Sequence, residues 1–146
     1  HGTHEYLRYG HTWRKLTNNL KLVQDMKIKN LVLKINHVVQ APSYHSIIDM
    51  THFFDSLGVE IHPIMLSSPK HFHISALTQH AKEKFLADTE NYVGSNKEFI
   101  NFVRNATREN IKQDKMLTAD CIKHLEKFDM VRKNSYKDII PIENLS

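Results

Sequence analysis

Cysteine is almost missing from this chain: Cys121 is the single one among 146 residues. A lone thiol closes no intrachain disulfide, so the chain is expected in a reducing compartment, the cytoplasm. Nor does it supply the paired thiolates of a structural zinc site, and no H-E-x-x-H pattern accompanies the eleven histidines, so no metal site is expected. Glycine is as scarce, with four residues and no Gly-rich phosphate loop. Apolar runs stay well short of the roughly 18 residues that a membrane helix needs. Blocks of like charge are absent too. The net charge of +4 is dispersed and no nucleic-acid-binding motif accompanies it, so neither a membrane nor a nucleic acid is the expected partner. The opening His1-Gly2-Thr3-His4 has neither leader nor tag character, and the chain reads as a fragment of something longer.

What is present is an alternation. In Leu31-Val-Leu-Lys-Ile-Asn-His-Val-Val-Gln40, residues Leu31, Leu33, Ile35 and Val39 fall on one face, while Lys34, Asn36 and Gln40 fall on the other. A parallel strand covered on both sides reads as a near-continuous apolar run. A polar face therefore points to a cavity, or else to solvent, with Lys34 paired to Glu60. A second run, about Val59 to Leu66, predicts a second strand, with Glu60 and His62 on its polar face. Between the runs, Ala41-Pro42 ends the first strand. Ser46 and Asp49 stand at capping-box spacing for a helix over about 46–57, and Gly58 takes the left-handed position that closes it. Strand, helix and strand make a βαβ unit.

Around that unit the spacing predicts helices. Residues 1–11 read as a loop, and Thr12 caps a helix from Trp13 to about Met26 with a Trp13, Leu16, Leu20 and Val23 stripe. Residues 67–75 read as a loop. Helices follow over about 76–92, from a Ser95–Glu98 capping box (Phe99, Phe102, Val103 and Ala106 inward), and over about 118–133 (Cys121, Ile122, Leu125 and Phe128 inward). Asp129 and Arg132 are spaced to pair on a helix surface. Residues 134–146 read as a tail. The expected class is α/β, with an α/β portion over 1–75 and a helical extension over 76–146. Two strands seldom make a stable sheet alone, and both would leave open edges, so further strands are expected to complete it.

Candidate site residues come from two places. Gln40 and the Leu66–Ser68 segment stand at the carboxyl ends of the strands, where parallel α/β folds bind ligands. Arg8 stands ahead of a helix, and its guanidinium is suited to a carboxylate.

The stretch Gly2-Thr-His-Glu-Tyr-Leu-Arg-Tyr-Gly10, with Trp13 and Asn19-Leu20, resembles the segment after the fourth barrel strand of radical S-adenosylmethionine enzymes, where an H-D/E-x-x-R pattern recurs. Ile35-Asn-His-Val-Val-Gln40 is similar to their fifth strand, and Val59 to Pro69 to their sixth strand and its loop. Phe128-Asp-Met-Val-Arg132, with Ser135 and Pro141, resembles the end of the C-terminal helix in the twitch-type subgroup. The resemblance implies the C-terminal part of a partial (β/α)6 TIM-like barrel. It also implies a parent protein that cleaves S-adenosylmethionine at a 4Fe-4S cluster to a 5′-deoxyadenosyl radical for hydrogen abstraction. The cluster is held by a C-x3-C-x2-C loop that this chain lacks, so the chain alone is expected to be inactive without the missing N-terminal half of the barrel. By resemblance, Arg8 and Asn36 would contact the methionine and ribose parts of the cofactor, with Gln40 close by, and backbone near Leu66 and Ser67 would meet the adenine. The implied substrate is open among peptide, nucleotide and small metabolite. The alternative is a non-catalytic α/β binding or scaffold module.

Overall fold

A six-residue helix is marginal in isolation, yet one forms inside the segment expected to be a loop. In the computed structural model, which describes residues 2–8 and 10–146, Gly2–Leu7 is helix α1. Tertiary contacts hold it. The buried Tyr6 hydroxyl donates to Asp129 Oδ1 at 2.6 Å and lies 3.0 Å from the Leu125 carbonyl oxygen. Glu5 Oε1 accepts the Trp13 N–H at 3.1 Å, which fixes α1 to the start of the next helix.

Helix α2 spans Trp13–Asp25, and the Thr12 hydroxyl caps it by accepting from Lys15 N. Its apolar stripe is where the sequence puts it, but no α2 residue is fully buried. Strand β1 spans only Lys34–Val39, shorter than the expected 30–40, and Leu31 and Val32 stand exposed ahead of it. A 3-10 turn at Ala41–Ser46 follows, then helix α3 over Ile47–Ser56. The Ser46 capping box does not form, because its hydroxyl donates back to the Ser43 carbonyl at 2.8 Å. Gly58 closes α3 at φ +63°, as its position predicts. Strand β2, Glu60–Met65, runs parallel to β1 and pairs Lys34 with Glu60, Asn36 with His62 and Val38 with Ile64.

The remaining chain is helical: α4 over Gln79–Asp88, α5 over Lys97–Glu109 and α6 over Lys115–Arg132. Short 3-10 turns occupy Lys70–Phe72 and Ile74–Ala76, within the expected loop. Three expectations here need correction. Ser95 and Glu98 do not box the α5 terminus, since the Ser95 hydroxyl is taken by Asp55 Oδ1 at 2.7 Å. Phe102 is exposed rather than inward. Asp129 accepts from Tyr6 and from the Tyr136 N–H, while Arg132 stacks on the rings of Tyr6 and Phe128, so the two do not pair. Residues 134–146 fold back and bury Tyr136, Ile140 and Leu145.

The fold is α/β with a two-stranded parallel sheet. One face of the sheet, with Ile35, His37, Val39 and Ile61, is turned to the helices. Val39 and Ile61 join Phe54, Phe99, Val103 and Leu125 in one core cluster, which draws residues from both halves of the chain. The other face carries Lys34, Asn36, Glu60, His62 and Ile64, all exposed. Lys34 Nζ meets Glu60 Oε2 at 2.7 Å across it, an exposed pair worth about 0–1 kcal/mol.

Candidate functional site

A cavity of about 740 Å³ lies on the flank of β1 away from β2, against α1, the first turns of α2, and α3. Its wall along β1 runs from Ile35 to Val38 and resumes at Gln40. The β1–β2 bonds fix which backbone groups face it. Glu60 N–H donates to the Leu33 carbonyl and Leu66 N–H to that of Val39. Successive residues of a strand turn their peptide groups to opposite sides, so Leu33, Ile35, His37 and Val39 address β2. Those of Lys34, Asn36 and Val38 turn outward, to the flank where the cavity lies.

Three of the five residues singled out from the sequence meet here. Arg8 and Asn36 line the cavity together with Gln40, although Arg8 comes from a separate segment. Leu66 and Ser67 do not line it. They continue β2, and β1 stands between them and the cavity, a strand spacing of about 4.8 Å. Tyr9, within the quoted resemblance, lies outside the described residues.

The floor is apolar, from Trp13, Leu16, Met50, Phe53 and Phe54. Trp13 packs at 5.1 Å on the Phe53 ring and 6.0 Å on that of Phe54. The charged lining is mixed: cationic Arg8 and Lys15, and one carboxylate, Asp49. Arg8 forms no ion pair with another described residue. Burial lowers the pKa of His4, with Arg8 and His11 adding to the effect. Burial, helped by Arg8, pushes His37 down to about 4. Both imidazoles are neutral at pH 7. The lining therefore offers a guanidinium for an acid, a carboxylate for an amine, side-chain amides, and an apolar wall for a ring.

His37 is the residue that the alternation passed over. It sits on the helix-facing side of β1 among aliphatic residues, with its ring edge-on to Phe99 at 5.6 Å. Its Nε2 is buried with no hydrogen-bond partner among the described residues. The signal was a polar residue at an apolar position of the period-2 pattern. Asp49 was legible only as a helix-cap candidate.

A second hollow, beside Asn110–Met116, is lined mainly by one loop. Beneath it Lys82 is fully buried, and its Nζ donates to the Lys112 carbonyl at 2.9 Å. Burial lowers its pKa to about 8. Cys121 is buried in the core, and its thiol is pushed up to about 12 by burial. Among the described residues no three His, Cys, Asp or Glu side chains gather as a metal site, and no helix is long and apolar enough to cross a membrane.

No family model, no curated protein and no solved structure matches this chain.

Proposed function

We propose that the β1 cavity is part of a pocket for S-adenosylmethionine, and that the chain is the later part of a radical S-adenosylmethionine enzyme. The observation that carries this reading is the meeting of Arg8, Asn36 and Gln40 on one cavity wall. These are residues that the resemblance to that family assigns to the cofactor. The lining suits the α-amino acid end of the cofactor, with Arg8 to donate to the carboxylate and Asp49 to accept from the ammonium, and Trp13 and Phe53 offer an apolar surface. The adenine contacts at Leu66 and Ser67 are not part of this pocket. S-adenosylmethionine supplies the radical chemistry when bound at a reduced cluster. This chain's residues bind and orient it, and they do not fit the cluster itself, since Cys121 is buried in the core. In this reading the α/β part is the end of a partial (β/α)6 barrel, the missing half supplies the cluster, and the protein is cytoplasmic.

Calorimetric titration of the chain with S-adenosylmethionine tests the pocket. Arg8→Ala should weaken binding about tenfold or more, the cost of a charge-assisted hydrogen bond. No binding at about 1 mM, or binding indifferent to both Arg8→Ala and Asn36→Ala, rejects it. The second reading, a non-catalytic α/β binding module, is favoured by the mixed charge of the cavity and the absence of cluster ligands. Binding of simple amino acids as tight as that of S-adenosylmethionine would select it.

A further inference from the structure

The two outer edges of the sheet differ. On β2, Ile61, Pro63 and Met65 point their peptide groups outward. Asn96 covers the first of these: its Oδ1 accepts the Ile61 N–H at 2.6 Å and its Nδ2 donates to the Val59 carbonyl at 3.0 Å. One side-chain amide thus occupies the place of a neighbouring strand. At Pro63 there is no N–H to offer. The sheet is closed to growth on that side over its first four residues.

On β1 the outward peptide groups of Lys34, Asn36 and Val38 have no strand beside them among the described residues. The space next to them is the cavity, floored by Trp13, Leu16, Met50 and Phe53. The helix that should cover a neighbouring strand is already in place. α2 carries an apolar stripe of which no residue is fully buried, and Leu22, Met26, Ile28, Leu31 and Val32 stay exposed from its last turns to the β1 entry. A row of free N–H and C=O groups at strand spacing, above an apolar floor, is complementary to an extended backbone.

We infer that the outer edge of β1 is a docking edge for one β-strand of a partner polypeptide, apolar on the side facing α2 and carrying an acidic residue. Charge selects this occupant. Arg8 and Lys15 outnumber the one lining carboxylate, Asp49, so a second copy of the chain would set one net-cationic slot against another, whereas a carboxylate on the incoming strand meets an Arg8 that no described carboxylate engages. The strand takes the flank beside Asn36 and Val38 and leaves the Gln40 end open. The strand and S-adenosylmethionine both call on Arg8 and Asn36, so they exclude each other in this cavity, and S-adenosylmethionine should displace the strand if it binds there.

Backbone amide exchange followed residue by residue by NMR tests it, with two synthetic heptapeptides of alternating Val and Thr as probes, one ending in Asp and one in Lys. The Asp peptide should slow exchange at Asn36 and Val38 by roughly tenfold at saturation and leave the Ile61 amide unchanged. The Lys peptide should bind several-fold more weakly. Val38→Pro removes an outward donor without breaking a β1–β2 bond, and should abolish the protection while the Ile61 amide stays protected as before. Absence of protection with the Asp peptide overturns the inference. So does protection that survives Val38→Pro, equal binding of both peptides, or protection that arises from self-association without peptide.

Discussion

Asn96 ties down the Ile61 N–H and the Val59 carbonyl on the outer side of β2, while across the same sheet Asn36 and Val38 face a cavity. The contrast extends to the helices behind each strand. Asp55 of α3 accepts from Ser95 and from both the backbone and side chain of Asn96, and Tyr92 donates to it as well. Phe99 and Val103 of α5 complete that side with almost no exposed surface. Helix α2, on the other side, is amphipathic but leaves its stripe half-covered. One flank is finished by the chain's own side chains, and the other has the form of an interface.

Truncation should expose the difference first. Phe99→Ala removes a fully buried ring and should cost about 3–5 kcal/mol in urea unfolding, whereas Leu20→Ala on α2 should cost less than about 1. Equal losses would abolish the contrast. Asn96→Ala strands a buried N–H and a buried carbonyl, for an expected loss of about 2–4 kcal/mol and faster exchange at Ile61. A neutral Asn96→Ala would show that the β2 edge does not need its seal.

Acid tests the junction of the two flanks at His37. Its folded pKa of about 4 lies below the ordinary 6.5, so the unfolded chain binds the proton more readily. The stabilising contribution is complete above about pH 6.5 and is lost as pH falls toward 4, by at most about 3 kcal/mol. His4, His45, His71 and His73 are lowered in the same direction, mainly by burial, so His37→Gln should flatten the slope only in part. An unchanged slope would mean that the imidazole is solvated. The smallest effect should come from the exposed Lys34–Glu60 pair, where Lys34→Ala should shift stability by about 1 kcal/mol or less.

Much of this was legible where a periodic signal exists. The alternation in β1, the left-handed residue at Gly58, the Thr12 cap and the βαβ order all follow from spacing. The polar face of that alternation meets solvent, with Lys34 paired to Glu60, and Asn36 reaches the cavity from the flank of the strand. What escaped lacks a period. Asn96 acts as a strand through one side-chain amide, and a residue after Ser95 looks like any helix entry. Ser95–Glu98 has the letters of a capping box, yet Asp55, distant in sequence, takes the serine. Residues 2–7 are too few to announce a helix, and contacts with segments outside it, Tyr6 with α6 above all, make them one. Leu66 and Ser67 were assigned to the cavity because strand ends gather in parallel folds. Here the cavity sits beyond the sheet's first strand, not between the two.

The Tyr6 contact also bears on how the chain comes to be built. Its hydroxyl meets the backbone at Leu125 across 119 residues of sequence. On a ribosome, α1 is among the first of these segments to emerge and among the last to find its seat, since α6 must first leave the exit tunnel. Until then the segment that brings Arg8 to the cavity has no anchor at Tyr6. Closing so large a loop carries an entropic cost before any contact rewards it, so docking of the leading helix is expected to be a late step of folding.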